Sequence, residues 1–195
     1  MTTQGDFDDG ASPGIILTNG SESPCTYYFY DNYWNGNGTA GANFDKPLKS
    51  LRVAPGATAF ASLPTTFKGR VQRGTLIPAT WVEFQISASN DGGAHGDVSV
   101  EQGNDGAATI RSTDGSNQEG GFSIPFTSMK VPGAWVTRAD GVDVIASTMG
   151  NWMGGPNQAA IDAQRSTIGD RTYVVGGTGV PDVASYNKRL AVHFY

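Results

Sequence analysis

Residues 80–87 alternate in character. Glu83 falls on the same side as Trp81 and Gln85, while Val82, Phe84 and Ile86 fall on the other. A carboxylate beside an aromatic ring suits a sugar. The ring offers apolar contact to a pyranose face, and desolvation beside it raises the carboxyl pKa. An equally ordinary reading is a glutamate on the solvent face of an antiparallel strand. The other reactive residue types show no such arrangement. Cys25 is the sole cysteine, so no intrachain disulfide can form. It is open to three readings: a buried inert thiol, an intermolecular disulfide, or half of a dyad with His95 or His193, for which no spacing argues. The two histidines and the scattered acids lack metal-ligand spacing. Asp8-Asp9-Gly10 and Asn104-Asp105-Gly106 are acidic turns that complete no EF-hand loop. Gly176, Gly177 and Gly179 follow a strand without the spacing or the helix of a phosphate loop. No metal and no cofactor is expected.

The elements that must position these residues follow from composition. The chain has 195 residues, 27 of them glycine and 10 proline, and only 16% are charged. That balance suits one all-β domain of short strands and tight turns. The 38% hydrophobic and 10% aromatic content argues against disorder. The net charge is −5, and the 13 basic residues are scattered, adjacent only at Lys188-Arg189. Such a surface lacks the dense basic footprint that nucleic acid requires. No run of about 18 apolar residues exists, so no membrane span is expected. Residues 1–10 are polar and acidic with no apolar h-region. The expected location is cytoplasmic or intracellular, with secretion only if a leader has been removed.

Residues 1–13 read as a loose polar tail and 14–195 as the domain. Strands are expected at 15–17, 25–30, 48–53, 59–63, 80–87, 98–100, 107–110, 122–131, 173–175 and 190–195. A helix is expected at 157–165, started by Pro156 or Asn157. Residues 35–41 form a turn cluster of Gly and Asn. Trp152 and Met153, between Gly150 and Gly155, form an apolar loop tip that is either core or a contact patch.

Several of these segments, in order, resemble the thaumatin-like family. Ile15-Ile16-Leu17-Thr18-Asn19 resembles its first strand, and Cys25 to Tyr30 falls near its second. Val53-Ala54-Pro55-Gly56 is similar to its V-x-P-G turn. Pro78-Ala79-Thr80-Trp81-Val82-Glu83-Phe84 looks like P-x-T-L-A-E-F, and Gly96-Asp97-Val98-Ser99-Val100 is similar to Y-D-I-S-L. Gly169-Asp170-Arg171-Thr172-Tyr173-Val174 resembles P-D-A-Y-S-Y, and the segment from Asp182 to Tyr195 resembles the closing strand. Order and spacing over residues 14–195 carry the resemblance, since each motif is short.

The resemblance implies an antiparallel thaumatin-like β-sandwich of about 10–11 strands, with one short helix and long loops, here without that family's disulfides because the chain has a single cysteine. It also implies an acidic cleft associated with β-glucan, built in that family from an arginine, a glutamate and three aspartates. Glu83 and Asp97 match two of these positions and are the catalytic candidates if any hydrolysis remains. Asp170 matches the late aspartate. Gln102-Gly103-Asn104-Asp105 stands where the family has D-G-F-N, so a neutral amide replaces a carboxylate and Asp105 is the nearby substitute. The family's arginine position reads Ser62-Leu63-Pro64, leaving Arg70 or Arg73 as alternatives. The implied function is non-catalytic β-glucan binding with at most vestigial glucanase activity. Its ligand residues are Glu83, Asp97, Asp105, Asp170 and Trp81, and its candidate partner is a polysaccharide. The alternative is a structural, self-assembling protein on the same scaffold, with the acidic tail held by a neighbouring copy and Cys25 as an intermolecular disulfide.

Overall fold

The two ends of the chain meet in the middle of one sheet. Gly14–Asn19 (β1) and Arg189–Phe194 (β13) run in parallel, in register from Gly14 opposite Arg189 to Asn19 opposite Phe194. A parallel pair needs a long crossover, and here nearly the whole chain is that crossover. The computed structural model describes residues 4–31, 45–124, 131–149, 156–175 and 182–195. Thr58–Ser62 (β4) flanks β1, and Ala108–Ser112 (β8) flanks β13, both antiparallel. Glu119–Phe122 (β9) completes a five-stranded sheet in the order β4-β1-β13-β8-β9.

The second sheet is wholly antiparallel. Its strands are Cys25–Tyr30 (β2), Lys49–Val53 (β3), Lys68–Arg73 (β5), Trp81–Gln85 (β6), Ala94–Ser99 (β7) and Val183–Ser185 (β12), in the order β12-β7-β6-β5-β2-β3. A small hairpin joins Trp135–Thr137 (β10) to Asp143–Ile145 (β11). The helix Gln158–Ile168 (α1) starts at Asn157, whose side chain accepts from the Ala160 amide at 3.2 Å. The chain is therefore an all-β sandwich. Its 13 strands among the described residues exceed the expected 10–11 because β10, β11 and β12 are only three residues each.

Alternation fixes the faces. Ile15 and Leu17, Leu190, Val192 and Phe194, and Ala108 and Ile110 point from the first sheet into the core. Tyr27 and Phe29, Leu51 and Val53, Val71, Val82 and Phe84, and Val98 meet them from the second. Tyr27 and Phe194 rings lie 4.9 Å apart across the layer. The other face of β5, β6 and β7 is left to carry Arg70, Glu83 and Asp97.

The tail is not loose, which corrects the sequence reading of residues 4–13. Gln4 N donates to Arg52 O at 2.8 Å and Asp6 N to Phe60 O at 2.9 Å, so the tail lies along β3 and β4. Asp6 pairs with Lys49 and accepts from Ser62 N at 2.7 Å. Arg189, 4% exposed, clasps both Asp8 oxygens at 2.7 and 2.8 Å, donates to Ser12 O at 2.8 Å, and lies 4.6 Å over the Phe60 ring. The neighbour that holds the tail is its own chain. The expected strand at 122–131 ends at Phe122, and residues 125–130 lie outside the described residues. So do the turn cluster at 35–41, Trp152 and Met153, and the glycines at 176, 177 and 179. Residues 173–175 make a single bridge, Tyr173 to Ser99, rather than a strand. No helix among the described residues is long and apolar enough to cross a membrane.

Candidate functional site

Three rows cross the outer face of the six-stranded sheet. Tyr30, Arg70, Glu83 and Asp97 are directly opposed in the first. Gln72, Trp81 and Ser99 form the second, and Lys68, Gln85 and His95 the third. Direct cross-strand partners have Cβ atoms about 5 Å apart, so Glu83 and Asp97 interact strongly. A cleft of about 290 Å³ opens over this face, lined by Lys68, Glu83, Gln85, His95, Asp97 and Asp182.

Arg70 is 4% exposed and its guanidinium is sandwiched between the rings of Tyr30 and Trp81, 4.0 and 4.1 Å from their centroids. Its Nε donates to Gln72 Oε1 at 3.0 Å. Burial pushes its pKa down to about 10, opposed by Tyr30 and Glu83, so it stays cationic at neutral pH. Glu83 and Asp97 keep a fraction of their surface at the cleft floor but are otherwise enclosed. Burial pushes Glu83 up to about 7, and Glu101 adds to the push, against a hydrogen bond from the Ser99 hydroxyl and the charge of Arg70. Burial also pushes Asp97 well up, helped by Glu83, Asp182 and Glu101. Asp97 Oδ1 is buried with no hydrogen-bond partner among the described residues. Two facing carboxyls of this kind cannot both ionise cheaply, so the pair holds a proton near neutrality. A pair in that state both donates to and accepts from hydroxyl groups.

His95 closes one side of the cleft. Its Nδ1 is 2.6 Å from Asp182, and its Nε2 is 2.9 and 3.1 Å from the Asp91 oxygens. Burial pulls its pKa down, but the bonds to Asp182 and Asp91 outweigh that and raise it. Among the described residues no group of three or more His, Cys, Asp and Glu is placed to hold a metal ion.

Glu83 and Asp97 are thus brought together, and Arg70, not Arg73, joins them. The other expected ligand residues are placed differently. Trp81 shares the face but is 1% exposed beneath Arg70, so it offers no open ring. Asp105 is not in the cleft. Its side chain, 2% exposed, is held by Arg138 at 3.1 Å and Arg73 at 3.5 Å, and it accepts from Thr80 N at 3.1 Å. Asp170 is exposed in the turn after α1 and does not line the cleft. Cys25 is a free, half-buried thiol packed against the core.

Sequence reasoning missed β5 as a strand, although Lys68, Arg70 and Gln72 alternate with Gly69 and Val71 as a strand should. It also missed His95 with Asp182, which lie 87 residues apart.

No family model matches the chain, and no curated protein matches it. Among solved structures it is similar to a crystal structure of a laminaripentaose-producing β-1,3-glucanase in complex with laminaritetraose, at 20% identity and a TM-score of 0.47. The similarity covers 71% of this chain and 53% of that one, so the chain spans about half the length of that protein. A likeness of this degree carries no assignment by itself.

Proposed function

We propose that this chain is a divergent, disulfide-free thaumatin-like protein whose cleft binds a polysaccharide of the β-glucan class. The observation that carries the reading is Glu83 directly opposite Asp97 on the cleft floor, with Arg70 fixed beside Glu83. A carboxyl and a carboxylate side by side match sugar hydroxyls, each of which both donates and accepts. The buried, unpartnered Asp97 oxygen is a polar group that a ligand or water would satisfy.

Binding without turnover is the principal reading. Gln102 is neutral where the family has an acid, and among the described residues no aromatic ring lies open in the cleft to hold a sugar near its transition state. Hydrolysis has one observation in its favour: a proton shared by Glu83 and Asp97 supplies an acid and an ionised partner together. Self-assembly loses the support of a tail that needs a neighbouring copy, because residues 4–13 are held within the chain.

Retention on insoluble β-1,3-glucan, with reducing-end release followed in parallel, tests the reading. The wild type is retained, Glu83→Gln is retained roughly tenfold less through loss of a charge-assisted hydrogen bond, and neither releases new ends. Equal retention of the two proteins overturns the cleft assignment. Ends released by the wild type alone establish hydrolysis instead.

A further inference from the structure

His95 stands on β7 one row from Asp97, with Gln85 of β6 on one side and Ala184 of β12 on the other. Its two ring nitrogens face two different carboxylates, Asp182 at 2.6 Å and Asp91 at 2.9 Å. An ionised carboxylate only accepts, and a neutral imidazole has a single N–H. Keeping both contacts therefore requires the doubly protonated ring.

The two carboxylates are not equivalent. Asp91 also accepts from the Gly93 amide at 2.9 Å, which anchors it in the turn between β6 and β7. Asp182 makes no other hydrogen bond among the described residues, and its side chain is 61% exposed. When the ring gives up a proton, one nitrogen presents a lone pair to a carboxylate, and Asp182 is the one free to withdraw. Asp182 leads directly into β12, a three-residue strand at the edge of the sheet, and it lines the cleft.

We propose that His95 is a positioning residue for this cleft: as an imidazolium it ties Asp182, and with it the entry to β12, to the cleft wall, and that wall loosens when the ring is neutral. The consequence for a ligand rests on the reading of the cleft as a binding site; the tie itself does not. Among the described residues, the charged groups facing the ring belong to the turn and the edge, Asp91 and Asp182, while Lys68, Glu83 and Asp97 line the same cleft beyond it. Asp182 is also one of the charges pressing Asp97 upward, so its withdrawal alters the proton held by the Glu83–Asp97 pair.

The protein has two histidines, so imidazole resonances give two titration curves, and His193→Gln assigns them. The His95 midpoint is expected above the ordinary histidine value and should fall in both Asp182→Asn and Asp91→Asn, with His193 unmoved. The Asp182 amide should shift with the same midpoint. Affinity for a laminari-oligosaccharide should weaken roughly two- to fivefold across that midpoint in the wild type, while in His95→Gln it should be weak already below the midpoint and keep only the pH dependence of the Glu83–Asp97 pair. A His95 midpoint at or below the ordinary value, unmoved by Asp182→Asn, overturns the tie. The expected titrations with no oligosaccharide bound at any pH overturn the binding reading and leave the tie standing.

Discussion

Replacing Glu83 by glutamine should make the protein more stable above neutral pH and leave it little changed near pH 4. The folded protein raises the Glu83 pKa from 4.5 to about 7, chiefly through burial. Between those values the native state holds a proton that the unfolded chain releases. Stability from this group is therefore complete below about 4.5 and is lost as pH rises through about 7. At about 1.4 kcal/mol per pH unit the loss is at most roughly 3 to 4 kcal/mol. Contact with solvent at the cleft floor reduces it. Glutamine keeps the shape and cannot ionise, so the loss vanishes. The substitution also removes the Glu83 push on Asp97, which adds to the same difference. Asp97 and His95 are both raised and slope the same way; His193, lowered by burial, slopes the other way, but as one group against three it leaves the wild-type curve declining. Carboxylates held low, such as Asp9 by Ser12 and Asp114 by Ser116, both to about 2, titrate below this window. Urea unfolding of both proteins from pH 4 to 8, with m-values checked for constancy, measures the effect. A wild-type curve that is flat or rising from pH 5 to 8, with Glu83→Gln parallel to it, would refute the argument.

Two further outcomes follow from the same geometry. Arg70→Ala should cost about 3 kcal/mol in urea unfolding, since it empties the space between Tyr30 and Trp81 and leaves Glu83 without its cation. It should also move the Glu83 carboxyl titration still higher, and an unchanged midpoint contradicts the electrostatic coupling. Deleting residues 1–9 should destabilise the fold by about 3 kcal/mol by stranding the buried Arg189, and the uncovered edges of β3 and β4 should promote association detectable by light scattering. A deletion variant as stable as the full chain, and no more associated than it, contradicts the docked tail.

The strands carrying Glu83 and the chain's end were legible because their alternation is unbroken, as in Trp81–Gln85 and Arg189–Phe194. β5 was not, because its outward residues are Lys68, Arg70 and Gln72, and the last two, polar yet buried on an outer face, look in sequence like a solvated loop. That strand holds the arginine which the sequence left undecided. Trp81 looked like an open platform, because nothing local shows that Arg70 lies over its ring. Asp105 looked available because its partners, Arg73 and Arg138, come from distant segments. The tail looked loose for the same reason: its clasp, Arg189, is 181 residues from Asp8.

The most direct measurement is a map of backbone amide shifts as a laminari-oligosaccharide is added at pH 6. Saturable changes should centre on Arg70, Glu83, His95 and Asp97 and shrink in Glu83→Gln. Changes centred instead on the outer face of the five-stranded sheet, or none that saturate, would contradict a sugar cleft on β5, β6 and β7.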